Sequence, residues 1–218
     1  MLKVHSSEFN YQYGDQIHFP YRISSLVAYI RSKEILNKNF DFQKAFVLRE
    51  HVDEHIQKCK DADILLCSCY VWNWEITNFL ASEVHKINPN CTIVFGGAHV
   101  PDFSEDFFEE HPYVDFIVHG EGEIVLEEFL TAYMGDKNYS DVKGLETKEF
   151  RNPPQDRIND LDSLPSAYLT NTVWDLVDKI DGINWIAGWE TNRGCPYQCT
   201  FCDWGSATFT KVRKWEES

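Results

Sequence analysis

Positive charge is in short supply in this sequence. Its 218 residues carry 20 Lys and Arg against 35 Asp and Glu, a formal net charge of −15. Such a chain repels a nucleic-acid backbone or an anionic membrane, so neither is expected as a main partner. Long apolar runs are also lacking. No stretch of about eighteen apolar residues, the length a membrane span needs, occurs, and Met1-Leu2-Lys3-Val4-His5 opens no long apolar signal region. The pattern Gly-x-Gly-x-x-Gly is absent, and with it the dinucleotide fingerprint. The phosphate loop Gly-x-x-x-x-Gly-Lys-Ser/Thr is absent too. Internal repeats and low-complexity tracts are missing.

What the chain does have is a concentration of sulfur. Three of its seven cysteines, Cys195, Cys199 and Cys202, fall between Glu190 and Gly205. Three residues separate the first pair and two the second. Three thiolates in one loop suit a soft, positively charged centre better than a packed core. Gly194 and Pro196 supply the sharp turns, and Ile183 to Trp189 reads as a strand delivering the loop. A structural zinc site takes four ligands, and no Cys or His follows Cys202. Three ligands leave one metal position open. That suits an iron–sulfur cluster whose fourth iron takes a substrate or cofactor, and the spacing is not that of the common ferredoxins. A chance cluster of buried or zinc-binding cysteines is the plainer alternative.

The other cysteines, Cys59, Cys67, Cys69 and Cys91, are scattered and sit mostly in apolar runs. They read as reduced core thiols, which indicates a cytoplasmic protein. Cys67 and Cys69 share one strand face, where packing is a better account than a redox pair. Aromatic residues make up 15% of the chain, with seven Trp. That fits a protein covering large flat cofactors, and equally a dense core.

Upstream of the cysteine loop, strand and helix alternate. Expected strands are Leu2 to His5, Lys44 to Leu48, Asp63 to Cys69, Cys91 to Phe95 and Val114 to Val118, with an edge strand at Val142 to Thr147. Expected helices start at Pro20 and cover His51 to Lys60, Trp74 to Ile87, Phe103 to Glu110 and Ile124 to Met134. Ser6 to Phe19 reads as a loop. His51, His55, His85 and His111 fall on polar faces or loops. Continuous apolar strands with helical crossovers predict an α/β fold, a doubly wound, Rossmann-like parallel sheet over residues 1–150. Its ligand site is expected beyond the carboxyl ends of the strands. Those ends read Cys69-Tyr-Val-Trp-Asn73, Gly96-Gly-Ala-His99 and His119-Gly-Glu-Gly-Glu123. Residues 151–166, rich in Asn, Pro, Asp and Arg, read as a linker. Residues 167–218 hold the cysteine loop. They number about 50, too few for an independent enzyme domain, so the chain is expected to be a truncated N-terminal part with no turnover of its own.

The three-then-two cysteine spacing, with Phe201 before the last Cys, closely resembles the radical S-adenosylmethionine superfamily. The resemblance implies that Cys195, Cys199 and Cys202 hold a [4Fe–4S] cluster at the start of a (β/α) partial barrel. The open iron of that cluster chelates S-adenosylmethionine. Phe201 and Trp204 would line the adenosyl pocket, or equally serve as barrel core. Arg193 would offset the cluster's charge, or simply be solvated. The phrases Ser68-Cys-Tyr-Val-Trp-Asn73, Phe95-Gly-Gly97 and Val114-Asp-Phe-Ile-Val-His-Gly-Glu-Gly-Glu123 resemble the cobalamin-binding domain found upstream of this motif in many radical enzymes. That resemblance places Tyr70, Val71 and Trp72 under the cobalt face. It gives Gly96, Gly97, Gly120 and Gly122 the task of leaving clearance for ring and tail. His99 would contact the tail, or be a solvated loop residue. Glu121 joins this contact set, although at a helix start it also complements the dipole. The Asp-x-His-x-x-Gly motif of cobalamin mutases, whose His ligates cobalt, is missing, which is compatible with methyl transfer.

The resemblance as a whole implies a cobalamin-dependent radical enzyme that methylates an unactivated carbon. Methylcobalamin and a 5′-deoxyadenosyl radical would share the chemistry. No catalytic side chain is assigned within this chain. The substrate would be a small molecule or a peptide, and the electron donor of flavodoxin or ferredoxin type. Two other readings accommodate the same residues. One is a non-catalytic cobalamin carrier or sensor with a vestigial cysteine loop, and the other is a radical enzyme that does not methylate.

Overall fold

The structure is a computed structural model that describes residues 1–102, 106–195, 197 and 212–215. Its strands are β1 (Leu2–Ser7), β2 (Gln12–Tyr13), β3 (Gln16–His18), β4 (Phe40–Phe42), β5 (Ile64–Ser68), β6 (Thr92–Gly96), β7 (Phe116–Val118), β8 (Leu145–Glu146), β9 (Asn184–Ile186), β10 (Asn192–Arg193) and β11 (Arg213–Lys214). Its helices are α1 (Tyr21–Arg31), α2 (Glu34–Asn39), α3 (Val52–Lys58), α4 (Trp74–Ile87), α5 (Phe107–Glu110), α6 (Gly122–Met134) and α7 (Thr172–Asp175).

Six strands form the main sheet in the order β4-β1-β5-β6-β7-β8. All pairings are parallel except the antiparallel edge β7–β8. The expected doubly wound α/β sheet is present. Every residue of β5 is buried, because both sheet faces are covered. Alternation along the strands divides the core in two. Ile64, Leu66, Val94, Phe116 and Val118 join Ile23, Val27 and Ile30 of α1 and Val125, Leu126 and Phe129 of α6. Leu65, Cys67, Ile93, Phe95 and Ile117 join Leu80, Ala81 and Val84 of α4 on the opposite face. Cys67, Cys69, Cys59 and Cys91 are free, buried thiols of that second core. Burial pushes the Cys67 and Cys91 thiols up to about 12, so they are inert packing groups.

Several local expectations are corrected. Ser6 and Ser7 complete β1. The remainder of the expected Ser6–Phe19 loop contains a hairpin, β2–β3, turning at Gly14. The hairpin pairs in parallel with β9, so a small sheet β2-β3-β9 ties the chain start to the segment leading into the cysteine loop. The partner of β3 lies far along the chain, which no local pattern signals. Edge strand β4 is Phe40–Phe42, ahead of the expected Lys44–Leu48. The latter meets β1 only through the Ser7–Phe46 bridge and its backbone bonds. Helix α2 was not expected; its buried face is a single residue, Leu36, too short a pattern for periodicity. The helix expected at Phe103 to Glu110 is described only as α5, and Phe103 to Glu105 lie outside the described residues. His55, expected on a polar helix, is buried and stacks on Phe46 at 4.3 Å.

Residues 151–166 contain one short 3-10 turn, Leu161–Ser163, and no strand. Beyond them, Ala167, Val173 and Val177 pack on Phe19 and Ala28 of the first segment. Among the described residues, no helix is long and apolar enough to cross a membrane.

Candidate cofactor cleft

The strand order carries a switch point between β1 and β5, where connections leave in opposite directions. Ligands of such sheets bind outside the carboxyl ends of the strands at this point. A cleft of about 1240 Å³ opens there, between the sheet and the amino ends of α1 and α6. Leu66, Val94, Val118 and Leu126 form its apolar depth. Gly96 sits in register between Ser68 and Val118, so one strand end contributes no side chain to the wall.

The loop after β5 forms one side. Tyr70 and Trp72 stack face to face, with ring centroids 4.6 Å apart and planes at 13°. Asn73, nearly inaccessible, fixes this loop. Its side-chain amide donates to the Ser68 carbonyl (2.9 Å) and the Phe9 carbonyl (3.3 Å), and its oxygen accepts from Tyr70 N–H (2.8 Å). Arg22 lies over the Tyr70 ring at 4.3 Å and pairs with Glu8 at 3.3 Å. Glu8, at the end of β1, also accepts from Ile23 N–H at 3.0 Å. Burial pushes its carboxyl up to about 7, against the pull of Ile23 N–H and Arg22.

The glycines differ in purpose. Gly97 has φ of +115°, and a Cβ there would come 2.6 Å from the Cys69 carbonyl, so the fold itself requires glycine. Gly120 has φ of +77° and nothing within 4 Å of a notional Cβ, so its open side faces the cleft. At Gly122 a Cβ would meet Leu26 at 3.1 Å, which lets α6 approach α1 closely.

The opposite wall comes from Gly188, Trp189, Glu190, Asn192, Arg193 and Gly194, and Arg213 joins it. Ion pairs clamp this wall to the start of α6. Arg193 pairs with Glu123 (2.6 Å), Glu190 (3.2 Å) and Glu121 (3.6 Å). Burial works against its charge, but the three carboxylates outweigh burial and raise its pKa. Arg213 pairs with Glu121, whose other oxygen accepts from Ile158 N–H at 2.7 Å.

Of the residues expected to touch a cofactor, Tyr70, Trp72, Gly96, Gly97, Gly120, Glu121 and Gly122 line the cleft together. Val71 does not line it and is 73% exposed. His99 is exposed, lies edge-on to Trp74 at 5.1 Å, and does not line it either. Arg193, for which a solvated role was one option, is instead a half-buried clamp. Cys195 is a partly buried free thiol one residue beyond the cleft-lining Gly194. Cys199, Cys202, Phe201 and Trp204 lie outside the described residues. Among the described residues, no three potential ligands converge on a metal position. Sequence reasoning missed Glu8, Arg22, Asn73 and Arg157. Only Asn73 had a local signal, as a capping-type residue before a helix.

Residues 16–130 match the family described as B12 binding domain. This chain belongs to that family. The expected resemblance to a cobalamin-binding domain is thereby borne out over residues 16–130, and cobalamin is the family's ligand. The B12-binding chain is 40% identical over 199 residues to a cobalamin-dependent radical SAM methyltransferase, TokK, of Streptomyces tokunonensis, covering 88% of this chain and 29% of the relative. It is also 40% identical over 181 residues to a 2-(S-pantetheinyl)-carbapenam-3-carboxylate methyltransferase of Streptantibioticus cattleyicolor, covering 80% of this chain and 27% of that one. The chain therefore spans under a third of the length of these relatives. Its fold is similar to the radical S-adenosylmethionine methyltransferase TsrM from Kitasatospora setae, with TM-score 0.63, 16% identity, and coverage of 99% of this chain and 43% of that one.

The cleft fits a corrinoid on its own terms. Pockets for drug-sized ligands run to about 1,000 Å³, and this one is larger. It has an apolar depth, a stacked aromatic pair at its side and a glycine with open space above it. No histidine stands in the Tyr70–Asn73 loop.

Proposed function

We propose that this chain is the cobalamin-binding part of a radical S-adenosylmethionine methyltransferase acting on an unactivated carbon. One observation carries the reading. The cleft lined by Tyr70, Trp72 and Gly96 at the strand ends is also lined by Gly194, the neighbour of Cys195. A corrinoid in this cleft would therefore lie beside Gly194, the residue before Cys195.

In this reading the division into residues 1–150, a linker at 151–166 and the start of a barrel at 167–218 has a functional meaning. The first part holds the corrinoid and the last brings Cys195, Cys199 and Cys202 to a [4Fe–4S] cluster that binds S-adenosylmethionine. Bound together, these cofactors supply a transferable methyl group and a 5′-deoxyadenosyl radical. The chain's own residues bind and orient. Tyr70 and Trp72 would hold a corrinoid against a flat aromatic surface and would offer it no imidazole. Asn73 and the Glu8–Arg22 pair hold that surface in place. The Glu121–Glu123–Arg193–Arg213 clamp fixes the distance between the two halves of the cleft. Substrate choice and turnover belong to the longer enzyme, with a flavodoxin- or ferredoxin-type electron donor and a small-molecule or peptide substrate.

The test is spectroscopic. The chain is mixed with hydroxocobalamin, desalted and scanned in the visible. Retained corrin absorbance at close to one equivalent is expected, and a colourless eluate would refute cobalamin binding. Iron and sulfide after anaerobic reconstitution, lost in a Cys195→Ala, Cys199→Ala, Cys202→Ala variant, are expected for the cluster. Iron content unchanged by those substitutions would leave a carrier with a vestigial loop.

A further inference from the structure

Four arginines line the cleft: Arg22, Arg157, Arg193 and Arg213. Three face carboxylates of the protein. Arg22 has Glu8 at 3.3 Å, Arg193 has Glu123 at 2.6 Å, and Arg213 has Glu121. Arg157 differs. Among the described residues its guanidinium makes no hydrogen bond and no ion pair. The adjacent Asp156 is drawn away to Lys143, 3.0 Å distant. Gln155, Asp156 and Arg157 belong to the stretch that reads as a linker from sequence, yet all three form cleft wall.

Arg157 is also partly buried. Burial, and then the positive field of Arg213, push its pKa below the ordinary arginine value, while Glu121 pulls the other way. A partly desolvated cation with no ion-pair partner is costly. The planar guanidinium fork matches the oxygens of a carboxylate or a phosphate better than any other ligand group.

We propose that Arg157 is an anion-recognition residue of the cleft, engaging an oxyanion on the molecule that fills it. The inference rests on the reading of the cleft as a cofactor site. Two sources carry the required chemistry. Cobalamin has a phosphodiester in its nucleotide arm, and S-adenosylmethionine has a carboxylate. Cobinamide, a corrinoid without the nucleotide arm, has neither.

The experiment compares the wild-type chain with Arg157→Gln and Arg157→Lys, titrating each with hydroxocobalamin, cobinamide and S-adenosylmethionine. Arg157→Gln is expected to weaken one oxyanion-bearing probe about tenfold, the loss of one charge-assisted contact, and to leave cobinamide unchanged or tighter. The lysine variant should retain part of the affinity, and the wild-type advantage should shrink as salt rises. Loss confined to cobalamin identifies the phosphodiester; loss confined to S-adenosylmethionine identifies the carboxylate. Equal weakening of cobalamin and cobinamide would mean that Arg157 only shapes the wall, and overturns the inference. Unchanged affinity for every probe overturns it as well, while leaving the cofactor reading intact. If the wild-type chain binds none of the three, both fall together.

Discussion

His5 on β1 and Glu8 just past its end are opposed titrations. Glu8 is fully enclosed, with its carboxyl raised to about 7 by burial and Arg22 as its cationic neighbour. Between its unfolded value of 4.5 and about 7, the folded chain holds a proton that the unfolded chain has released. Glu8 therefore costs stability as pH rises through that window. His5 is buried beside Phe46 at 5.3 Å, and neither ring nitrogen has a partner among the described residues. Burial lowers it from 6.5 to about 4, so its contribution is lost as pH falls through that range. Glu8→Gln should accordingly gain stability relative to wild type between pH 5 and pH 8, read as the difference in urea midpoints at the two values. A constant difference would mean that Glu8 does not titrate in the folded chain. Neither residue could be picked from the sequence. A polar residue at a strand end looks solvated until the switch point encloses it. Gly97 was legible as important, but for a different reason from the one found: its space is taken by the Cys69 carbonyl.

At the level of elements, the parallel sheet was readable because β5, β6 and β7 are short, largely apolar runs between helical periodicities. The hairpin β2–β3 was not, since polar residues dominate it and its partner β9 is remote. The start of α6 was partly readable. Glu121 and Glu123 looked like dipole complements, whereas they reach Arg193 and Arg213 on β10 and β11. Removing their charges leaves Arg193 with Glu190 alone and takes the Glu121 carboxylate from Arg213, and breaking a largely buried pair in this way costs about 3 kcal/mol. Glu121→Gln with Glu123→Gln should raise amide exchange at Asn192 and Arg193 by about a hundredfold or more, while β5 amides change far less. Trypsin should also cut faster after Arg193. Protection equal to wild type at both sites would show that the clamp does not hold the cysteine segment.

For the molecule as a whole, charge and cleft pull in different directions. The net charge of −15 repels polyanions, yet four arginines line one cleft. Composition revealed the first fact and only folding revealed the second. A ligand that fills the cleft stabilises only the folded chain. At a hundredfold excess over its dissociation constant that contributes about 2.7 kcal/mol, or roughly 5–10 °C in Tm for a chain of this size. Hydroxocobalamin should produce such a rise in a thermal melt, and no shift at saturation would place its binding outside the folded cleft.

The small sheet at the cleft mouth sets an order of assembly. The Asn184 side chain grips Asp15 from 169 positions away, at 2.6 Å. Contacts that close so long a loop form late. While the chain is emerging, the hairpin has no neighbour and the trough at the strand ends lies uncovered. Only when residues 184–194 arrive does a wall settle beside it. A bulky corrin would thus meet an open trough before residues 188–194 settle and a walled one afterwards.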